Sequence, residues 1–161
     1  MKTRCLISFM VVGALMLLCQ SAIADDLDDL KATFNKFQIA SNTGDVETMF
    51  PILDDKVVRL GPDDGFPRAI PNKEIKERAK QAHIKWYETH IDRHVQHKPD
   101  FRVIGNTGLV WGLVERTVVN KKSGIAQIFS SRSSCVYVKS DGKWTLVLIH
   151  ASSNPQTQTL Y

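Results

Sequence analysis

Cysteine is scarce in this chain, and its distribution excludes a fold held by disulfide bonds. Of the three cysteines among 161 residues, Cys5 and Cys19 lie in an apolar N-terminal segment and Cys135 stands alone. If that segment is removed, no intrachain disulfide can form, and the domain must be held together by its core. Cys135 lies in the strand-like segment SSCVYV, where we expect a buried, unreactive thiol.

Long hydrophobic runs are also absent, apart from one near the N-terminus. Lys2 and Arg4 precede an apolar run from Leu6 to Leu18, and Ala22-Ile23-Ala24 supplies small residues for cleavage. The run is too short to span a bilayer comfortably, and this order is typical of a secretory signal peptide. We therefore expect export to the periplasm or the medium, cleavage near Ala24–Asp25, and no membrane attachment afterwards.

The chain lacks a strong charge of one sign. Its 21 Lys and Arg residues oppose 17 Asp and Glu residues, and Lys2 and Arg4 leave with the leader. No stripe of basic residues interleaved with aromatics follows, so we expect no nucleic-acid partner. No motif implies a cofactor.

Two periodicities divide the rest of the chain, which we interpret as one domain over residues 25–154 and a flexible tail over residues 155–161. Three-to-four spacing predicts helices first, and alternation then predicts four strands joined by hairpin turns. Helices followed by an antiparallel meander indicate an α+β fold, with the helices packed on one face of a curved sheet. The predicted helices are Asp25–Asn42, Val46–Leu53 after an Asp45 cap, and a helix after Asn72 that buries Ile75, Ala79, Ala82 and Trp86. A brief strand, Val57–Leu60, is predicted before the third helix, and the four strands of the meander are Arg93–Gly105, Thr107–Val119, Ile125–Val138 and Lys143–Ser152.

The order of these elements and three local motifs resemble the nuclear transport factor 2-like superfamily. The motifs are SNTGDVETM after the first helix, FRVIGNTGLVWG at a strand turn, and DGKWTLVLIHASSNP near the C-terminus. The nearest resemblance is to the association (hub) domain of calcium/calmodulin-dependent protein kinase II and its bacterial SnoaL-like relatives. It implies a cone built from a bent sheet and helices, with a pocket inside. It implies no single reaction, because the superfamily includes isomerases, dehydratases, cyclases and non-catalytic hubs.

Three of the five histidines lie in the segment HIDRHVQH, residues 90–97. In a helix, His90 and His94 would share one face as a credible zinc ligand pair. In a strand, His94 and His97 point to opposite faces, and His90 and His94 are about 13 Å apart. Because the resemblance implies a strand from about Arg93, we expect no metal site, and one histidine at the mouth of the pocket.

A carboxylate in the strand TGLVWGLVERTVV is a candidate general base. Glu115 shares a face with Trp111, and a half-buried carboxylate beside an indole suits proton abstraction. His94 is the second candidate catalytic residue, and Tyr87 or His150 could also supply a hydrogen-bond donor. The alternative is a structural role, in which Glu115 pairs with a neighbouring arginine.

The resemblance also suggests what lines the pocket. Aromatic side chains form its walls, and the positions that carry arginine in the hub family hold an alanine and a cysteine here. The pocket is therefore expected to be mostly apolar. The expected pocket residues are Trp86, Tyr87, Trp111, Cys135 and Ala151.

The last strand suggests an assembly surface. In a regular strand, Trp144, Leu146, Leu148 and His150 share one face. We expect this face to pack against a second copy of the chain in a two-fold dimer.

Two interpretations of function follow. The preferred one is an exported, non-catalytic domain that binds a small apolar or carboxylate ligand, or assembles as a homodimer. The alternative is a cofactor-independent isomerase, dehydratase or cyclase that uses Glu115 as its base.

Overall fold

A computed structural model of the protein describes residues 25–61, 68–70, 72–153 and 158–160. The predicted signal peptide and most of the loop GPDDGFP lie outside these residues. None of the helices in the described part of the chain has the length and hydropathy needed to cross a membrane.

The first helix, α1, covers residues 25–43 and buries one apolar face. Leu30 and Phe34 on that face are almost fully buried. Gly44 ends the helix with a φ of 73°, a left-handed conformation that glycine adopts without strain. The carboxylate of Asp45 then accepts a 3.0 Å hydrogen bond from the Thr48 amide and caps α2, Val46–Met49. The predicted second helix is shorter than expected, because Phe50–Ile52 form a 3-10 turn.

The helix α3, Lys73–Thr89, begins at the predicted Asn72 cap, whose side chain accepts a 3.0 Å hydrogen bond from the Ile75 amide. Its buried stripe differs from the prediction. Ala79, Ile84 and Tyr87 pack against the core, whereas Ala82 and Trp86 are exposed. The helix is rotated relative to the predicted face, and this rotation also turns His83 inward.

The strands form one mixed, mostly antiparallel sheet in the order β2-β1-β6-β5-β4-β3. The three long hairpins are antiparallel as predicted, but β1 runs parallel to β6. β7 pairs with β5, so its three residues are a strand rather than part of a flexible tail. The strands are β1 Leu53–Leu60, β2 Arg68–Ala69, β3 His90–Ile104, β4 Thr107–Asn120, β5 Ala126–Ser140, β6 Lys143–Ser153 and β7 Gln158–Leu160.

The sheet has an inner face, packed against α1 and α3, and an outer face. Towards one end of the inner face the contacts are apolar: Val110, Tyr137 and Leu146 are buried, and Phe101 makes an edge-to-face contact with Phe34 at 5.4 Å between ring centroids. We call this the apolar half of the inner face. Together with the apolar residues of α1, α2, the 3-10 turn and β1, it forms the hydrophobic core.

A β-bulge in β6 changes the predicted assembly surface. Tyr137 pairs with Leu146, but its neighbour Val136 pairs with Leu148, so one extra residue lies between the two pairs. Trp144 and Leu146 therefore point to the inner face and are buried. Leu148 and His150 point to the outer face, and the prediction that all four side chains share one surface is wrong.

Candidate functional site

Asp92 is the most deeply buried charged residue among the described residues, with 5% of its surface exposed. Arg116, on the neighbouring strand, donates two hydrogen bonds to its carboxylate, at 2.8 Å from Nε and 2.6 Å from Nη2. The indole Nε1 of Trp86 donates a third, at 3.1 Å. Burial alone would raise the pKa of Asp92, but the hydrogen bonds from Arg116 and His94 outweigh it and hold the pKa well below its usual range.

His94 lies beside this ion pair, on the inner face as a strand predicts. Its Nε2 is 3.2 Å from Oδ1 of Asp92. The backbone of His94 is held by the side chain of Asn42, whose Nδ2 donates to the His94 carbonyl at 2.9 Å and whose Oδ1 accepts from its amide at 2.7 Å. Since β3 lies at the edge of the sheet, Asn42 occupies the place of a missing strand partner at this residue.

His83 projects from α3 towards the same face. Its Nδ1 lies 2.8 Å from the carbonyl oxygen of Ala79, so Nδ1 carries the proton and Nε2 carries the lone pair. The ring makes an edge-to-face contact with Phe50, at 5.3 Å between centroids, and lies 6.5 Å from Tyr87. Burial is the main cause that lowers the pKa of His83, and the charges of Arg59 and Arg116 lower it further.

Tyr87 and Trp86 connect α3 to the rest of the domain. The Tyr87 hydroxyl donates a 2.9 Å hydrogen bond to the Ser41 carbonyl, so its proton is engaged with α1. The Trp86 ring stacks on His90, 3.8 Å between centroids and 8° from parallel. Burial raises the pKa of Tyr87.

Two arginines make this part of the inner face more polar than the sequence suggested. Arg116 lies opposite His94 across β3 and β4, and its guanidinium is 6.0 Å from the Phe129 ring centroid. Arg59 pairs with Ile149 of β6, which in turn pairs with the buried Cys135. The expectation of a mostly apolar pocket is therefore wrong here. We call the following set the inner-face cluster: Arg59, His83, Tyr87, Asp92, His94 and Arg116.

Two of the predicted site residues lie on the opposite side of the sheet. Glu115 pairs with Val95, and both are exposed on the outer face. Trp111 is 39% exposed on the same face. Glu115 therefore cannot meet His94, and its predicted role as a general base is wrong. The predicted place of Trp111 in the pocket is wrong for the same reason.

Cys135 and Ala151 are on the inner face, and their place in a ligand pocket stays a prediction. Cys135 is buried beside the apolar half, and burial raises the pKa of its thiol to about 12. A thiol with that pKa is a poor nucleophile. Ala151 pairs with Ser133, whose hydroxyl accepts a 3.0 Å hydrogen bond from Gln96 Nε2. The other side-chain atom of Gln96, Oε1, is buried with no hydrogen-bond partner among the described residues.

Other candidate sites are weaker. A groove of about 320 Å³ on the outside of α1 is lined by Asn35, Ile39 and Thr48 among others, and contains no residue of the inner-face cluster. Within the described ranges, no three or more His, Cys, Asp or Glu side chains are grouped so that they could hold a metal ion.

Sequence reasoning missed His83, Asp92, Arg59 and Arg116 as site residues. One signal was available: His83 and Tyr87 are four residues apart in a helix, which places them on one face. A second signal was the spacing of Val114, Arg116 and Val118 at every other position of one strand, which places Arg116 on the same face as two valines that are buried.

A family model described as the SnoaL-like domain matches residues 30–156. The chain belongs to the SnoaL-like domain family. The match covers most of α1 and all of α2, α3 and the strands β1 to β6, and so includes every residue of the inner-face cluster. No curated protein matches the chain at a significant level.

Solved structures confirm the nuclear transport factor 2-like fold of this SnoaL-like domain. A protein from Xanthomonas campestris, provisionally described as a calcium/calmodulin dependent protein kinase II association domain, is 21% identical, with a TM-score of 0.62 over 79% of this chain and 86% of that one. An NTF2-like protein from Cytophaga hutchinsonii is 20% identical, with a TM-score of 0.62 over 79% and 97%. A ketosteroid isomerase-like protein from Erwinia carotovora atroseptica is 18% identical, with a TM-score of 0.61 over 80% and 95%. At these identities the likeness shows the fold alone.

Proposed function

We propose that this SnoaL-like domain is exported, binds a small molecule between α3 and the inner face, and acts as a homodimer. The observation that carries the binding proposal is the convergence of the inner-face cluster on one half of the inner face. His94, Gln96 and Arg116 point there, whereas the apolar half is filled by packed hydrophobic side chains. Convergent polar groups with perturbed pKa values beside an apolar wall are the usual composition of a ligand site.

The outer face supports the dimer. Five large apolar side chains are exposed on its β3 and β4 strands: Ile91, Val95, Ile104, Trp111 and Leu113. Large exposed apolar patches are unusual on monomeric proteins and often mark interaction surfaces. The same face carries charges of both signs, with Glu115 on β4 and Arg132 opposite Leu113 on β5. A two-fold interface must be complementary to itself, and a face with both signs meets that requirement. The second copy would therefore use β3 and β4, rather than the set predicted from β6.

Sedimentation velocity of two charge-introducing variants tests the dimer. Leu113→Glu should weaken dimerisation by about a hundredfold or more, because an unpaired charge would be buried at the interface. Ile39→Glu is the matched control: Ile39 is 65% exposed on α1, away from this face, and its variant should remain dimeric. A wild-type monomer at micromolar concentration, or a Leu113→Glu dimer of unchanged affinity, contradicts the proposal.

One observation favours an enzyme as the second candidate. The contact between His94 Nε2 and Asp92 places a carboxylate behind an imidazole, an arrangement used in acid–base catalysis. The second candidate is therefore an isomerase, dehydratase or cyclase in which His94, rather than Glu115, acts as the general base. Any activity found in a substrate screen should then be lost in His94→Phe and retained in Glu115→Gln.

A further inference from the structure

His83 has a nitrogen with no assigned role. Its Nδ1 proton is engaged with the Ala79 carbonyl, and among the described residues no hydrogen-bond partner contacts Nε2. Because Nε2 carries the lone pair, it can accept a hydrogen bond and cannot donate one while the ring is neutral.

The surroundings keep the ring neutral and fixed in position. Phe50 from the 3-10 turn makes an edge-to-face contact with the ring, and the Tyr87 ring from α3 lies tilted at 6.5 Å between centroids. The charged groups that act on it are Arg59 from β1, Asp92 from β3 and Arg116 from β4. Burial and the two arginines outweigh Asp92 and the Ala79 hydrogen bond, so the pKa lies below 6.5. At neutral pH the ring therefore presents a lone pair at Nε2.

We infer that His83 Nε2 is the hydrogen-bond acceptor for the ligand of the inner-face site, and that this ligand is an apolar molecule bearing a hydroxyl group. The inference rests on the proposed binding function and adds the chemical class of the ligand to it. The partly buried ring of Tyr87 suits the apolar body, and the lone pair suits the donor. A ligand that lacks the donor would leave a lone pair desolvated and unpaired, which costs affinity.

Two nearly isosteric probes test this directly: phenol, which has a donor, and anisole, in which that donor is methylated. NMR titration at pH 7.5 should show that the wild-type protein binds phenol about three- to tenfold more tightly than anisole, the range expected for one hydrogen bond. Equal affinities would overturn the inference. If neither probe binds, the proposed binding function itself fails.

Variants assign the difference to His83. His83→Phe should bind both probes equally, with anisole affinity unchanged, because the ring volume remains and the acceptor is gone. His83→Gln should keep the preference, since its amide oxygen can accept. His97→Phe is the matched control on the outer face and should also keep it. A preference that survives in His83→Phe overturns the inference.

Two further measurements need only the wild-type protein: the pH dependence of the preference for phenol, and the ¹⁵N chemical shift of His83 Nε2. The preference for phenol should be present above the pKa of His83 and lost as pH falls through it, because protonation removes the lone pair. In the wild type, the ¹⁵N shift of His83 Nε2 should move on addition of phenol and stay constant with anisole. An Nε2 shift that does not respond to phenol overturns the inference.

Discussion

At the scale of single residues, Asp92 joins three parts of the domain. Its carboxylate accepts hydrogen bonds from α3 through Trp86 and from β4 through Arg116, while its own backbone belongs to β3. A buried carboxylate is tolerated only when it is paired and hydrogen-bonded, and Asp92 meets both conditions. Asp92 is therefore one of the residues that hold α3 over the inner face, together with the hydrogen bond from Tyr87 to Ser41.

Replacing Asp92 should destabilise the fold. Asp92→Asn removes the negative charge that faces Arg116. We expect the free energy of unfolding to fall by about 2–3 kcal/mol. This is at the low end for a buried ion pair, because the Arg116 side chain is partly exposed. Glu115→Gln, a change of the same chemistry on the outer face, should stay within about 0.5 kcal/mol. Urea denaturation of both variants measures the difference, and equal effects would contradict the assigned role of Asp92.

The pH dependence of stability gives a second test of the same group. Because folding depresses the pKa of Asp92, its contribution is present above the unfolded value near 3.8 and is lost as pH falls below it. The wild-type protein should therefore lose stability between about pH 5 and pH 2 more steeply than Asp92→Asn. Parallel curves of unfolding free energy against pH for the two proteins would be inconsistent with a depressed pKa.

The sequence could show that Asp92, His94 and Gln96 share a face, because alternation in a strand is a local property. It could not show that Arg116 is the partner of Asp92, since that contact depends on the register of a hairpin and joins residues 24 positions apart. It also could not show which face of β4 is inner. Trp111 and Leu113 made the outer face look like core, although the helices pack on the face that holds Val110 and Val114.

At the scale of elements, the bulge in β6 decides which side chains are core. Helix caps at Asp45 and Asn72 were predictable because capping needs only a few neighbouring residues. A bulge is different: one extra residue shifts every later side chain to the other face, and nothing in the local sequence requires it. For this reason the pattern of Trp144 to His150 was misassigned.

Alanine substitutions on either side of the bulge test its position. Leu146→Ala should cost about 2–5 kcal/mol of unfolding free energy, because Leu146 is fully buried and its removal leaves a cavity. Leu148→Ala should cost less than half as much, because its side chain lies on the outer face. Chemical denaturation compares the two, and a larger loss for Leu148→Ala would place the bulge elsewhere.

At the scale of the whole molecule, the two faces of the sheet serve different purposes in the proposed function. In that proposal, the ligand site lies on the inner face under α3, and a second copy packs against the outer face. The element order and the fold class were predictable because periodicity and turn residues specify them along the whole chain. Which face the helices cover was not predictable, because Trp111 and Leu113 made the outer face of β4 look like core.

The most direct test of this account is native mass spectrometry of the protein secreted from its own host, with a denatured aliquot alongside. The denatured mass should correspond to a chain that starts at Asp25. The native mass should be that of a dimer carrying a small organic molecule, which dissociates on denaturation. A monomer with no added mass would contradict both the assembly and the ligand site, and a subunit that retains residues 1–24 would contradict export with cleavage.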